Sequence, residues 1–159
     1  MLIRLLDVLT VGDGQGEEYD TGELVTYLND AVLIAPAMLF VPAISWAAAG
    51  DHAFDLSLTG HGRTVTARVL VDDCGAPADL RTTDRFCVDP VDPGKLTRAR
   101  WNTPVAGWQM VDGRPLPTSG QAVWHLPGGP FTYADFRPVP ESLAFNIPPG
   151  GRPTAPPGV

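Results

Sequence analysis

The clearest pattern in the chain is a strict alternation of apolar and polar residues over two neighbouring segments, 54–59 and 64–69. A period of two is typical of β-strands that bury one face. A two-residue turn at His61-Gly62 would join the segments and pair Asp55 with Arg68. In this register apolar residues face apolar ones and polar residues face polar ones, whereas a shift by one residue would destroy the match. The pattern therefore predicts a register-locked antiparallel hairpin.

Upstream of this hairpin, apolar residues recur with helical spacing. We expect Asp20 to cap the helix, because Glu23 three residues on completes a capping box. Pro36 is expected to end the helix at Ala35 and to open a second short turn. The predicted apolar face comprises Leu24, Tyr27, Leu28, Ala31, Val32 and Ala35.

Downstream, short apolar runs alternate with turn residues. Residues 80–88 predict one continuous strand, and residues 96–101 predict an edge-like piece. Asp112-Gly113 is a strong signal for a tight hairpin turn. These runs therefore continue the strand pattern of the first hairpin towards the C-terminus.

The last predicted hairpin closes on Gly128-Gly129. A two-residue turn there would pair Leu126 with Phe131 and Trp124 with Tyr133. Cross-strand aromatic pairs of this kind stabilise a sheet by up to about 1 kcal/mol each.

These elements predict an α+β fold. We expect a twisted, curved antiparallel β-meander of about seven or eight strands, with one N-terminal helix packed on its concave face. Residues 1–147 would form a single domain that includes an N-terminal strand at 2–8 and a final strand at 141–147. The Pro- and Gly-rich residues 148–159 are predicted to be a disordered tail.

The segment Ala31–Gly50 carries no charge and approaches the length of a membrane span. Pro36 and Pro42 each remove a helical hydrogen bond, and the flanking residues are acidic rather than basic. We therefore expect this segment to be a buried helix and loop that fills the hollow side of the sheet, not a span.

Charge and cysteine content narrow the class of protein. The 18 acidic and 11 basic residues give a net charge of −7, which argues against nucleic acid as a partner. Cys74 and Cys87 are expected near opposite ends of one hairpin, too far apart for a disulfide. Free thiols, together with an N-terminus that lacks the features of a signal peptide, favour a cytoplasmic location.

No catalytic motif stands out in the sequence. The glycines at 12–16 lack the lysine of a phosphate-binding loop, and the spacing of the histidines and cysteines fits no metal motif. We therefore predict no catalytic residue, no metal and no cofactor.

A small set of aromatic and basic residues forms the candidate binding site. Arginines on one sheet face could bind a carboxylate or phosphate group, although surface ion pairs are the favoured explanation. The tryptophans could line an apolar cavity, although ordinary core packing is the alternative. The candidate ligand-binding residues are Trp46, Arg68, Arg85, Trp108, Trp124 and Tyr133.

An ordered series of short motifs resembles an uncharacterised family of bacterial proteins. It runs from about residue 20 to residue 146, and no single motif in it is specific. The matching residues are Tyr27-Leu28, Pro36, Leu39, Arg85-Phe86, Gly113, Leu116-Pro117, Val123, Trp124, Tyr133 and Phe145-Asn146. Asp30 departs from the series, which usually has glutamate there. The resemblance implies a helix over a curved sheet, a fold similar to the half-barrels of bacterial lipoprotein carriers, and it implies no activity.

Three functions follow as hypotheses. The first is non-enzymatic binding of an apolar or amphipathic, lipid-like small molecule between helix and sheet, with Arg85 near its polar end. The second is an assembly subunit that pairs with another copy through an open sheet edge. The third is a hydrolase or isomerase that uses Asp84, Arg85 and a histidine, which requires a histidine within hydrogen-bond reach of a carboxylate.

Overall fold

The fold is seen in a computed structural model that describes residues 2–5, 9–13, 15–89, 91–92, 94–111 and 113–139, with side chains from residue 15 onwards. The predicted strand at 141–147 and the predicted tail at 148–159 lie outside the described residues. The division into domain and tail therefore stays a prediction.

The described part of the chain contains a long helix, a 3-10 turn and short strands. The helix α1 spans Glu17–Leu33, and the 3-10 turn spans Pro36–Leu39, where a second short turn was expected. The strands are β1 (Leu2–Leu5), β2 (Leu9–Asp13), β3 (Ile44–Ala48), β4 (Ala53–Gly60), β5 (Arg63–Val71), β6 (Pro77–Thr82), β7 (Phe86–Val88), β8 (Leu96–Arg98), β9 (Arg100–Ala106), β10 (Gln109–Val111), β11 (Arg114–Leu116), β12 (Ser119–Leu126) and β13 (Gly129–Phe136).

Seven of these strands form one antiparallel sheet in the order β13-β12-β9-β6-β5-β4-β3. The order follows the chain, apart from two excursions that form the small hairpins β7–β8 and β10–β11. The helix contacts β4, β5, β6 and β7. The predicted α+β class, with one N-terminal helix on an antiparallel meander, is therefore confirmed.

The hairpin of β4 and β5 has the predicted register. Asp55 is paired with Arg68, and the polar and apolar residues sort as expected along the whole hairpin. His61 and Gly62 form the turn with φ angles of 51° and 76°. Two positive φ angles match the right-handed twist of the flanking strands, which explains why this turn fixes the register.

The helix begins earlier than predicted. It starts at Glu17, and Gly16 provides no side-chain cap. Arg63 of β5 explains the extra turn, because its guanidinium lies 2.9 Å from Glu17 and 3.8 Å from Asp20. The acidic first turn also complements the helix dipole. The Asp20 cap was therefore wrong, because a contact from the sheet stabilises this end.

The core lies between the helix and the sheet. Val25 and Leu28 of the helix are fully buried against the inward residues of the central strands. The largest fully buried side chains are Leu28, Leu56, Leu80, Val25, Val65 and Val69. The space beneath the helix is thus filled by the protein's own side chains.

The uncharged segment Ala31–Gly50 does not fill the hollow side of the sheet as a whole. Its second half forms β3, an outer strand in which only Ile44 is buried. Alanine and tryptophan are exposed in this strand, which pairs with β4 on one side only. No helix among the described residues is long and apolar enough to cross a membrane.

The predicted strand at 80–88 is broken in two. β6 ends at Thr82, whose hydroxyl accepts a hydrogen bond from the backbone of Asp84. The Asp84 carboxylate in turn accepts the N–H of Thr66 at 2.7 Å and its hydroxyl at 3.0 Å. The carboxylate of Asp84 thereby occupies the backbone N–H of Thr66, which a longer β6 would have used for pairing. The chain leaves the sheet at this point.

The predicted edge-like piece at 96–101 is divided between two strands: Leu96–Arg98 form β8, which pairs with β7 in a two-stranded hairpin, and the last two residues belong to β9. β9 begins at Arg100 and lies between β6 and β12 in the middle of the sheet. Pro104 concealed this strand in the sequence, because proline has no N–H to donate to a neighbour. The pairing of β9 with β12 is interrupted at Thr103 and Pro104, which accommodates the missing donor.

The last hairpin forms, but its predicted register was wrong by two residues. Leu126 pairs with Gly129, so the turn lies at Pro127-Gly128. A bulge after Ala122 in the pairing leaves Tyr133 without a direct partner. Trp124 pairs with Phe131 rather than with Tyr133.

Candidate functional site

The inner face of the sheet, on which the helix packs, extends beyond the helix onto β9, β12 and β13. Trp101 of β9 and Trp124 of β12 are direct cross-strand neighbours on this face. Their ring centroids are 6.4 Å apart. Because the helix packs mainly over β4 to β6, another group can approach these rings from the side.

That group is Arg85, which lies in the link between β6 and β7. Its guanidinium carbon is 4.1 Å from the centroid of the Trp101 ring. Trp101 is only 2% exposed, so the cation stacks on a buried aromatic face. Such a contact stabilises by about 0.5–2 kcal/mol.

The guanidinium of Arg85 has no hydrogen-bond acceptor and no ion-pair partner among the described residues. Burial lowers the pKa of Arg85 below its ordinary value, and this is the largest influence on it. The charges of Tyr133, Glu23 and Asp30 act in the opposite direction on this pKa. Since arginine stays protonated in proteins, Arg85 keeps a partly buried positive charge with unused N–H donors.

Tyr133 completes the aromatic surroundings. The indole Nε1 of Trp101 donates to the Tyr133 hydroxyl at 3.1 Å. The ring of Tyr133 stacks with Trp124 at a centroid distance of 6.2 Å, although the two are not paired in the sheet. We name Arg85, Trp101, Trp124 and Tyr133 the Arg85 cluster.

An apolar cavity of about 330 Å³ lies beside the C-terminal half of the helix. Phe136, on its wall, is three residues from Tyr133 on β13, about 10 Å along a strand. Asp30 lines the cavity, and its negative charge also raises the pKa of Arg85. The lining residues are Asn29, Asp30, Leu33, Ile34, Leu116, Pro117, Phe136 and Pro138.

A larger cavity, of about 670 Å³, has a different character. It lies where the helix meets the 3-10 turn and the end of the β4–β5 hairpin, and three of its lining residues are acidic. The lining residues are Asp20, Glu23, Leu24, Thr26, Tyr27, Asp30, Met38, His61 and Arg63. Its three carboxylates, Asp20, Glu23 and Asp30, would oppose binding of an anionic ligand.

Three of the six predicted site residues meet in the structure. Arg85, Trp124 and Tyr133 all belong to the Arg85 cluster. Trp101, which joins them, was missing from the predicted set. Recognition of β9 as a strand would have predicted the position of Trp101, but Pro104 made this segment look unlike a central strand.

The other three predicted residues lie elsewhere. Arg68 is on the opposite face of the sheet and forms a two-point ion pair with Asp55. Trp108 donates from its indole to the backbone oxygen of Pro77 at 2.8 Å. Trp46 is on the outer strand β3, stacked between two phenylalanines. The predicted site therefore combined residues that lie in separate parts of the fold.

The arrangement required for acid–base catalysis is not assembled around Asp84. Its carboxylate contacts Thr66 and Arg98, and no described histidine contacts it. Arg85 turns away from it to the aromatic face of Trp101. Within the described ranges, no group of three histidine, cysteine or acidic residues could hold a metal ion.

Comparison with known proteins gives one match. The model of a family of unknown function, DUF6544, matches residues 1–136. No curated protein and no solved structure matches the chain. The expected similarity to lipoprotein carriers therefore stays a prediction, whereas the chain itself belongs to the DUF6544 family.

Proposed function

We propose that this protein binds, without catalysis, an amphipathic small molecule with an anionic head group. The head group would contact Arg85, and the apolar part would enter the cavity at Phe136. This places the ligand beside the helix rather than beneath it, because the interface beneath the helix is packed with side chains.

The unpaired guanidinium of Arg85 is the observation that carries this proposal. A partly buried charge without an acceptor is costly unless another group supplies the acceptor. A carboxylate or phosphate would accept two parallel N–H bonds from the guanidinium. An apolar cavity about 10 Å away along β13 suits a hydrocarbon chain attached to such a head group.

The first experiment is native mass spectrometry of gently purified protein, which we expect to show a co-purifying anionic amphiphile. The second is titration with dodecanoate, followed by tryptophan emission, because Trp101 and Trp124 lie in the Arg85 cluster. Dodecyltrimethylammonium has the same chain with the opposite head charge, and we expect it to bind at least about tenfold more weakly.

Two variants separate the head-group site from the cavity. Arg85→Gln should weaken dodecanoate binding and reduce the preference for an anionic head. Ile34→Glu, at an exposed cavity-lining position, should weaken binding of both amphiphiles. The matched controls are Arg137→Gln and Val91→Glu, since both residues are exposed and lie outside the cavity and the cluster. Bare protein in the mass spectrum together with unchanged emission would refute the proposal.

A second candidate function is assembly through β3, favoured by the chemistry of this edge. β3 contains no charge and no proline, whereas the opposite edge β13 has a bulge, Pro130 and Asp135. Natural sheets use such features to prevent edge pairing. β3 is therefore the less protected of the two edges.

The hydrogen-bonding pattern of β3 suits a second copy of the chain. Thr59 donates to Ala43 and Ala49 donates to Ala53, so the odd-numbered residues bond to β4. By alternation, the backbone groups of Trp46 point outwards. Two antiparallel copies could pair about Trp46 without bringing charges into opposition.

Sedimentation velocity over a range of concentrations tests this pairing. We expect a dimer that Trp46→Lys dissociates, since the substitution places two like charges opposite each other. Val91→Lys adds the same charge at a position that is 90% exposed and should leave the dimer intact. A monomer at every concentration, or a dimer that Trp46→Lys leaves unchanged, would exclude assembly through β3.

A further inference from the structure

The face of the sheet opposite the helix, which we name the open face, carries a groove of about 510 Å³. Arg68 of β5, Arg81 of β6 and Arg100 of β9 all line it. These strands are consecutive in the sheet and about 4.8 Å apart. Arg68 and Arg81 are at the same level, and Arg100 lies two residues along β9 from the partner of Arg81.

Arg68 and Arg81 are direct cross-strand partners. Like charges in this position oppose sheet formation. Each charge is offset by one carboxylate: Arg68 donates from Nε and Nη2 to Asp55 at 2.8 and 2.9 Å, and Arg81 donates from Nε to Asp79 at 2.6 Å. The two acids allow the arginines to lie side by side.

Arg100 carries the third positive charge and has no carboxylate partner among the residues that the structure describes. Its Nη2 donates to Nδ1 of His125 at 2.8 Å. The Nε2 of His125 contacts Oδ1 of Asn102 at 2.7 Å, while the Asn102 amide donates to Asp79. Since the Asn102 oxygen can only accept, His125 bears its proton on Nε2, and Arg100 is bonded to a neutral ring.

Most of the N–H donors in this groove are unused. The Nη1 group of Arg68 and both Nη groups of Arg81 have no acceptor among the described residues. The side chains of both residues are 53% exposed. The hydroxyls of Ser57 and Thr83 line the same groove. Three cations against two carboxylates leave a local positive charge on a chain whose net charge is −7.

We propose that this groove binds a compact anion with more than one negative charge, of the diphosphate type. Arginine forks match phosphate oxygens in pairs, and three forks on neighbouring strands span about 10 Å, enough for two linked phosphate groups. The acidic surroundings would repel a long polyanion, so a small molecule is favoured over a nucleic acid. The groove lies on the opposite face from Arg85 and is independent of the amphiphile site.

Isothermal titration calorimetry with pyrophosphate at low ionic strength tests the groove. We expect saturable binding that weakens as salt is added, and that is stronger than binding of inorganic phosphate. Arg100→Gln should weaken pyrophosphate binding by at least about tenfold, because it removes the cation that has no carboxylate. Arg137→Gln, which changes an exposed arginine outside the groove, is the matched control.

Arg81→Gln serves as a second variant, with circular dichroism to confirm folding, since Arg81 also supports the buried Asp79. A similar loss in both groove variants and none in the control supports the site. Absence of saturable heat, or an equal loss in Arg137→Gln, would overturn it. Neither result bears on dodecanoate binding, so failure here is distinguishable from failure of the proposed function.

Discussion

The indole of Trp101 donates a hydrogen bond to the hydroxyl of Tyr133 at 3.1 Å, and this bond ties the central strand β9 to the outer strand β13. β12 lies between the two strands, and the ring of its Trp124 lies close to both bonded residues. The guanidinium of Arg85 lies over the ring of Trp101. The geometry of the candidate head-group site therefore depends on this contact.

Tyr133→Phe should lower the free energy of unfolding by about 1–3 kcal/mol, because it leaves the N–H of the buried Trp101 without an acceptor. Urea denaturation measures the change. Tyr19→Phe is the control, since the Tyr19 hydroxyl has no partner among the described residues. Equal stabilities for the two variants would show that the hydrogen bond does not contribute.

Two glycines should respond to alanine with opposite signs. A Cβ at Gly120 would overlap the ring of Phe136, so Gly120→Ala should destabilise by about 1–3 kcal/mol and disturb the apolar cavity. Gly22 lies inside the helix with open space where a methyl group would be added, so Gly22→Ala should stabilise by about 0.5–1 kcal/mol. Thermal and urea denaturation measure both. A stabilised Gly120→Ala would contradict the packing of Phe136 on this strand.

His125 should make the protein less stable in mild acid. Burial, followed by the charge of Arg100, lowers the pKa of His125 below its ordinary value of 6.5. Asp79 raises this pKa and Arg81 lowers it further. Below about pH 6.5 the unfolded chain gains a proton that the folded chain resists, so stability falls as the pH decreases from about 7 to about 5.

Urea denaturation across this pH range checks the sign. His125→Gln should flatten the dependence on pH, and His52→Gln, at an exposed position, should keep it. A wild-type protein that becomes more stable over the same decrease in pH would contradict the neutral, Nε2-protonated His125.

The two thiols should differ in reactivity. Cys74 is exposed, whereas Cys87 is partly buried and donates to the backbone oxygen of Thr97. Burial raises the pKa of Cys87, which decreases its thiolate fraction. Timed labelling with a thiol reagent should therefore modify Cys74 first. Cys74→Ser should remove the fast phase and Cys87→Ser the slow one, and a faster Cys87 would contradict its burial.

Local sequence predicted structure well where the strand pattern and the turn agree. The hairpin of β4 and β5 is the example, because alternation fixes its faces and His61-Gly62 closes it. In the last hairpin, Pro127, Gly128 and Gly129 allow more than one turn, and the register shifted by two residues. Trp124 and Tyr133 still meet because the bulge brings the tyrosine back to its ring.

The candidate sites were less predictable for a physical reason. Arg68 and Arg85 are both arginines near strands, and nothing local separates them. Asp84 decides the difference, because it takes the N–H of Thr66 and releases the chain from the sheet, after which Arg85 reaches the inner face. Long-range hydrogen bonds between Thr66 and Asp84 thus mark the point at which the basic residues are divided between two faces.

The sequence by itself determined the antiparallel meander, the single N-terminal helix and the pairing of Asp55 with Arg68, because periodicity and turn chemistry act over a few residues. Only the tertiary structure decided where the helix starts, that β9 is central, and which aromatic rings surround Arg85. These features depend on Arg63, Asp84 and Trp101 meeting partners far away along the chain. Contacts of that kind produce no recognisable pattern in the local sequence, since they stabilise the protein only once the sheet has formed.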